Sequence, residues 1–466
     1  MKKILIILLA AAAILIFFVL LDREPENKNA IYVSVNGNDQ NEGTKSKPFR
    51  TLAKAASEAT AGTTVYIRKG TYNEKLIVQH SGTKSKPIIF SSYKKEKVVL
   101  SGKNVEDIEG NTALVTIKNK NYITINGITI QDVKTDVADE TVMGIFVTGN
   151  SSHIILENNH VRRIETQAKG GNGHGIAIYG TGPMKDINIL HNTVEDLKLG
   201  SSETIVLNGN IDGFKVENNL VRRSDNIGID LIGYEGISTD KNADYVRNGV
   251  VKNNKVYEIS SYGNPAYGED YAAGGIYIDG GKNITIEGNT IYKCDIGIEA
   301  TSEHAGKYAD QITINSNIVY HNFYTGISIG GYDEKRGGTV NSTISHNIIY
   351  RNDTKGLDGG QLLIQHDTKN NVIEKNILTA GSSRLFIANY FPTNEENRLQ
   401  KNIFHKEKGK TGIWVWKEEE YTSFSDFIVA SNGDTQSIYV NPKFKNEKKY
   451  DFRLKKNSPA IKNMED

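Results

Sequence analysis

From about Ala113 onward, short apolar runs recur in which every second side chain is polar, as in Ile284-Thr285-Ile286 and Ile312-Thr313-Ile314. Alternation at period two marks a strand with one buried face. The runs are rich in β-branched residues, and Gly or Asn stands between them at expected corners. No amphipathic stretch of helical length appears inside the repeats. Each unit is an apolar triplet, an Asn, then two more apolar residues. The Asn residues are Asn126, Asn159, Asn192, Asn219, Asn254, Asn289, Asn317, Asn347, Asn376 and Asn402, at spacings of 26 to 35. A second marker, Gly-Ile, recurs at Gly144, Gly175, Gly228, Gly275, Gly297 and Gly326. A period of about 20–50 residues signals a solenoid or an array. Short strands at this period predict a parallel β-helix, its coils ~4.8 Å apart. Ile then stacks on Ile inside, and Asn on Asn at a tight corner, as a structural ladder.

A solenoid needs covered ends, because an open edge strand pairs with other chains. Pro48 to Ala59 reads as a short amphipathic helix with apolar positions 52, 55, 56 and 59, placed to close the N-terminal mouth. The non-repeating segment 441–466 is expected to close the other. The solenoid with its N-terminal cap is therefore assigned to residues 31–440, as one domain.

The extreme N-terminus follows another pattern. Lys2 and Lys3 precede an unbroken apolar run from Ile4 to Leu21, 18 residues long. A signal-peptide core is usually about 7–15 residues with a small-residue cleavage site after it. Residues 1–22 are read as an uncleaved signal anchor, with a cleaved signal peptide as the alternative, and 23–30 as a linker. Both readings export the remainder, to the outer face of the membrane or beyond, since the two lysines hold the N-terminus inside. Membrane contact is expected through this segment only.

Charge excludes one class of partner. The 56 basic and 55 acidic side chains nearly cancel, whereas a nucleic-acid binder shows a basic surplus. The single cysteine, Cys294, allows no intrachain disulfide and no thiolate cluster. It reads as small packing.

Particular segments carry a resemblance. Tyr32 to Asp39, Gly43-Thr44, Lys47-Pro48-Phe49, Val65 to Arg68 and Gly70-Thr71-Tyr72 are similar to the N-terminal cap of secreted right-handed parallel β-helix proteins. Those proteins form the pectate-lyase-like superfamily. Gly275 to Gly281, Asp295 to Glu299, Asp451 to Leu454 and Ser458 to Ile461 resemble the same group. The resemblance spans nearly everything after residue 30. It implies an all-β, right-handed parallel β-helix, here of about ten coils, that acts on or binds polysaccharide. That superfamily hosts lyases, glycosidases, epimerases and inert repeats, and the matching motifs are structural, so no catalytic residue carries over.

Chemistry is therefore sought on the outward positions. Two residues after each Gly marker lie Phe146, Ala177, Asp230, Tyr277, Glu299 and Ser328, and four after lie Thr148, Tyr179, Ile232, Asp279, Thr301 and Gly330. Asp230, Asp279 and Glu299 thus fall on consecutive coils of one stripe. Asp279 and Glu299 differ by one coil and two positions, roughly 8 Å between backbones. That is a usable spacing for the paired carboxyls of a glycosidase. Asp is disfavoured in strands, and like charges on neighbouring strands repel, so such a cluster points to a shared proton, a cation or a substrate. The default role of outward acids is solubility.

Tyr234, Tyr277, Glu303, His304, Tyr332 and Asp333 extend the patch as expected substrate contacts. Between Gly228 and Gly275 the spacing is 47, against 22 between Gly275 and Gly297. This predicts a long loop carrying Tyr234, Tyr245, Tyr262, Tyr267, Asp270 and Tyr271. A second loop runs from Gly331 to Gly338 with Tyr332 and Arg336. Such loops wall a groove, and Tyr rings suit sugar faces. Trp414 and Trp416 either extend a sugar platform or cap the core. His174, His304 and His366 are either acid–base groups or ordinary surface residues.

The expected function is a glycoside hydrolase using Asp279 and Glu299 as acid and base or nucleophile, with Asp230 tuning or binding. No cofactor and no protein-bound metal is expected. The alternatives are a polysaccharide lyase and a non-catalytic glycan-binding surface protein. For a lyase, Lys215, Arg222, Arg223 or Arg247 would be the base, and Asp230, Asp279, Glu299 and Glu303 would hold Ca²⁺. The chain is expected to act as a monomer on a polysaccharide or oligosaccharide.

Overall fold

The computed structural model describes residues 29–103, 105, 111–406, 411–432 and 436–464. The N-terminal apolar run and all but the end of the linker lie outside the described residues. Among the described residues no helix is long and apolar enough to cross a membrane.

Each turn of the chain lays down three strands. Lys282–Glu287, Thr290–Cys294 and Ile296–Thr301 form one turn, and Tyr308–Asn315, Ile318–Tyr320 and Thr325–Ile329 the next. Equivalent strands pair in parallel and in register. The result is a right-handed parallel β-helix with three faces, numbered here in that chain order. The hand follows from strand twist, which admits almost only right-handed parallel crossovers. The second face is a 13-stranded sheet among the described residues, more rungs than the ten Asn-marked repeats suggest. The extra rungs lie where the Asn marker is missing, before Asn126 and after Asn402.

Alternation fills the core. On the first face Ile125, Leu156, Ile189, Val216, Val251, Ile286, Ile314, Ile344, Ile373 and Leu399 stand one above the next. All are buried. The Asn ladder lies at the corner between the first and second faces. Asn289 Nδ2 donates to Val251 O at 2.9 Å and to Asn317 Oδ1 at 3.0 Å, and its Oδ1 accepts from Asn254 N and Nδ2. The same pattern runs from Asn159 to Asn402. Asn126 is not a rung of it. Asn126 pairs with Glu157, and Ile128 takes the position opposite Asn159, donating its N–H to Asn159 Oδ1. Glycines recur at the start of the third face because the backbone of one rung meets the next there. A Cβ on Gly228, Gly275 or Gly297 would lie 2.5, 2.9 or 2.3 Å from the carbonyl oxygen of the following marker glycine.

The N-terminal mouth is covered by a helix, Leu52–Glu58, capped by Thr51 and burying Leu52, Ala55 and Ala56. The other end differs from the expectation. A second helix, Phe424–Ala430, closes it, with Phe427 stacked on the buried Trp414 at 5.5 Å. The segment after Asn441 lies instead on the outer side of the second face. There Phe444, Phe452 and Ala460 cover Tyr320, Tyr350, Ile377 and Ile403, outward apolar side chains that need a partner. Trp414 and Trp416 are both core residues, and so form no exposed platform.

Candidate functional site

The third face carries the acidic stripe. In register, Val206, Asp230, Tyr277, Glu299, Ser328 and Leu363 stand on successive rungs, and Asp279 pairs with Thr301. Alternation turns Ile229, Leu231, Ile276, Ile278, Ile298 and Ala300 into the core and leaves the acids outside it. The sequence pattern expects a groove walled by loops, with outward acids on its floor. The structure instead roofs it: Asp230, Tyr277, Asp279 and Glu299 are each 3% exposed or less.

The roof comes from loops at both corners of the face. The 47-residue spacing is not one long loop. It contains the first- and second-face strands that every turn has, Val246–Lys252 and Lys255–Ile259, and its extra length lies in two separate loops at 233–245 and 260–273. Tyr267 and Tyr271 of the second loop, Glu303, Tyr332 and Arg336 from the opposite corner, and Tyr277, Tyr324, Glu299 and Gln365 of the face itself border a pocket of about 440 Å³.

Within it, Gln365 Nε2 donates to Glu299 Oε1 at 3.3 Å and to Ser328 Oγ at 3.0 Å. The Tyr332 hydroxyl stands 3.2 Å from Glu299 Oε2 on the other side. The Tyr277 hydroxyl donates to Glu303 Oε1 at 3.0 Å. Asp279 does not border the pocket; its Oδ1 accepts the Glu303 N–H at 2.7 Å, which sets the start of the 302–307 loop. Asp230 lies one rung further back, and its Oδ1 has no hydrogen-bond partner among the described residues.

Burial dominates the electrostatics. It raises the Glu299 carboxyl to about 7, against the hydrogen bonds of Ser328, Tyr332 and Gln365. Burial also holds Asp279 and Asp230 well above the usual carboxylate range, reinforced by Glu303 beside the first and by Glu203 and Asp279 beside the second. Glu203, which the sequence reading does not nominate, is raised to about 8 by burial and the Glu235 charge. It precedes the one marker position of this stretch that lacks Gly. Beside it, the buried His174 falls to about 4 and accepts from the Tyr179 hydroxyl. Gln365 was equally unmarked, since a single amide after a strand carries no distinctive spacing.

Other expected contacts lie off the pocket. Tyr234 packs within its own loop, stacked on Tyr245 at 5.5 Å. Asp333 caps the 332–336 turn, accepting from Lys335 N and Arg336 N at 2.8 and 2.9 Å. His304 faces Glu235, its Nε2 3.4 Å from Oε1.

Comparison with known proteins places the chain. Residues 31–219 match the family model described as Pel9A-like, right handed beta helix region, and residues 274–446 match a second model, right handed beta helix region. The chain is 60% identical over 430 residues to the uncharacterized protein YwoF of Bacillus subtilis, covering 92% of each. A stretch of 85 residues, 18% of this chain and 20% of the relative, is 39% identical to pectate lyase PEL9 of Emericella nidulans. The chain belongs to the pectate-lyase-like β-helix proteins, in one family with YwoF. Two solved structures share its fold. A GH136 lacto-N-biosidase from Eubacterium ramulus aligns with TM-score 0.59 at 14% identity, covering 81% of this chain and 68% of that one. A protein titled glycoside hydrolase aligns with TM-score 0.51 at 12% identity, covering 81% and 96%.

Among the described residues of this pectate-lyase-like chain one group of side chains has the spacing to face a cation. The ligand atoms of Glu235, Asp279 and His304 all lie within 4.8 Å of one another. Calcium takes about 6–8 oxygen ligands. Two carboxylates and an imidazole do not fit it. The cations considered as elimination bases lie elsewhere. Lys215 is exposed on the first face, and Arg222 and Arg223 pair with Glu195 on the second. Arg247 holds Asn210 and the carbonyl of Tyr245. Arg336 is the one Lys or Arg among the described residues that border the pocket.

The raised carboxyls make stability depend on pH. A folded pKa above the unfolded one means the native state binds more protons between the two values, so stability falls as pH rises through that window. Glu203→Gln is expected to raise the melting temperature at pH 8 and leave it nearly unchanged at pH 4. The gain at pH 8 corresponds to roughly 4 kcal/mol, about three pKa units at ~1.4 each. Equal shifts at both pH values in thermal melts would show that Glu203 is not a buried, protonated group.

Proposed function

We propose that this protein is an exported glycoside hydrolase that cleaves a polysaccharide or oligosaccharide, with Glu299 as general acid and Glu303 as its partner base. The observation that carries this reading is Glu299 itself: a buried carboxyl held near 7, gripped on two sides, and opening on an aromatic-walled pocket. A carboxyl that keeps its proton near neutrality can deliver it to a departing glycosidic oxygen. Glu303 is exposed and borders the same pocket, so it is placed to take a proton from the attacking water. Asp279 serves by fixing Glu303 through its backbone N–H, and Asp230, itself held well above the usual carboxylate range by burial, lies one rung behind it. Tyr267, Tyr271 and Tyr324 offer ring faces to the sugar.

Several features favour hydrolysis over elimination. The candidate lyase bases Lys215, Arg222, Arg223 and Arg247 all lie away from the pocket, the three arginines engaged with other groups, and the Glu235, Asp279 and His304 group is a poor calcium site. A non-catalytic binding surface has no use for a costly buried acid. The activities of the two structural neighbours agree with the hydrolytic reading, and that of the Emericella relative with the broader carbohydrate class.

The test is a screen of plant and microbial polysaccharides and their oligosaccharides, with and without EDTA. New reducing ends without near-ultraviolet absorbance, unaffected by chelator, are expected. An absorbing unsaturated product, or activity lost to chelator, would establish a lyase; binding without cleavage would leave a glycan-binding protein. On the hydrolytic reading kcat/KM falls as pH rises through about 7, because the acid must be protonated.

A further inference from the structure

The two carboxyls of the pocket are joined by an unbroken run of hydroxyl groups. Glu299 Oε2 lies 3.2 Å from the Tyr332 hydroxyl, which lies 2.8 Å from the Tyr277 hydroxyl, which lies 3.0 Å from Glu303 Oε1. The fold enforces part of this run. Tyr277 and Glu299 are register partners on adjacent rungs, so their side chains project side by side. Tyr332 is brought down by the 331–337 turn. That turn is pinned by paired backbone bonds between Gly331 and His366, by the Asp333 cap, and by Arg336 over the Tyr332 ring at 5.3 Å.

Proton counting restricts the state of this chain. Each phenol carries one proton and donates one hydrogen bond. Three consecutive bonds between four groups therefore need one further proton, on one of the two carboxyls. If Glu299 holds it, Glu299 donates to Tyr332, Tyr332 to Tyr277, and Tyr277 to ionised Glu303. If Glu303 holds it, every donor reverses.

We infer that Tyr332 and Tyr277 form a proton relay that returns a proton from Glu303 to Glu299 after each turnover. This rests on the hydrolytic reading of the same site. In the cleavage step the glycosidic C–O bond breaks and the leaving oxygen takes the proton of Glu299. Water forms the new C–O bond at the anomeric carbon and gives one proton to Glu303. The enzyme is left with the wrong carboxyl protonated. Glu303 then passes its proton to the Tyr277 oxygen, Tyr277 passes its own to Tyr332, and Tyr332 passes its own to Glu299. No proton is gained or lost, no group carries two charges, and the phenols are never ionised. The last point matters because both phenols are buried among carboxylates that oppose their ionisation. Reversing a chain of hydroxyls needs only small proton shifts and hydroxyl rotations.

Two measurements test the relay, and the first needs no substrate. Infrared difference spectra of the full-length protein follow the protonated carboxyl of Glu299 against pH. Glu303→Gln is expected to move its midpoint clearly in the wild type and much less in a Tyr277→Phe background, since the link between the two ends is then cut. An equal shift in both backgrounds would mean that the carboxyls sense each other only through space, and would overturn the relay. The second uses the substrate found in the polysaccharide screen. Tyr277→Phe and Tyr332→Phe should each lower kcat about 10-fold to 100-fold, a general acid–base magnitude, with KM little changed. Rising concentrations of imidazole buffer should restore much of the loss by carrying the proton instead. Loss of turnover that no buffer restores would assign the hydroxyls a purely structural role. If the wild type cleaves nothing in the screen, the hydrolytic reading fails, while the infrared result still decides whether the carboxyls share a proton through the tyrosines.

Discussion

Glu299→Gln is expected to lower kcat by about 10³-fold, within the range of a lost general acid, and at the same time to make the protein more stable at pH 8. Both effects have one cause. The carboxyl is buried on a rung of the third face, and its folded pKa of about 7 stands above the usual carboxylate range. In the unfolded chain it ionises near pH 4.5, so between about 4.5 and 7 the native state keeps a proton that the unfolded state has released. Stability falls with pH through that window and does not recover above it. Glutamine keeps the shape, accepts from Gln365, donates to Tyr332 and never ionises, so the gain appears at pH 8 and vanishes at pH 4. Activity assays and thermal melts on one preparation check the pair of outcomes. A variant that keeps full activity removes Glu299 from the reaction. A variant that loses activity but gains no stability at high pH shows that the acid is not held protonated by burial. Glu303→Gln should be comparably inactive without the stability gain, because Glu303 is exposed.

The second large effect concerns the ladder. Asn289→Leu is expected to cost about 3–9 kcal/mol, since it orphans Val251 O, Asn254 N and one Asn254 Nδ2 donor in the core, at about 1–3 kcal/mol for each unmade bond. Leu also has no donor or acceptor to offer the rungs on either side. Asn126→Leu should cost under about 1 kcal/mol, as partly exposed positions usually do. Its amide reaches only Ser91 and Asn158 at the half-exposed edge of the first face. The two residues share one sequence motif and differ only in register. Urea unfolding followed by circular dichroism, with hydrogen exchange at Asn254 as a local probe, separates them. Similar losses for both variants would mean that the ladder bonds contribute little beyond packing.

That pair shows how much a repeat reveals. The period-two alternation and the recurring Asn and Gly are constraints that every rung repeats, so they are legible wherever the rung occurs. They identify the β-helix, and they place Asp230, Tyr277, Asp279 and Glu299 on neighbouring rungs of one face, as observed. A frame shift of two residues, as between Asn126 and Asn159, escapes the motif because both frames contain an Asn. The C-terminal closure escapes the sequence pattern for a related reason. Both Phe427 and Phe444 sit in segments without a period, and which of them closes the mouth depends on which apolar surface lies uncovered when the last rung ends.

The chemistry divides along the same line. A chain that winds in register brings distant acids together through local rules alone, and those rules are written into each repeat. Whether the acids meet water or a roof depends on loops that obey no period, and whose course is set by contacts with rungs far away in sequence. Tyr332 and Gln365 meet Glu299 only because separate segments of the chain bring them over one rung. Burial by that roof, not the identity of the acid, lifts Glu299 to near 7 and turns an outward carboxylate into a proton donor.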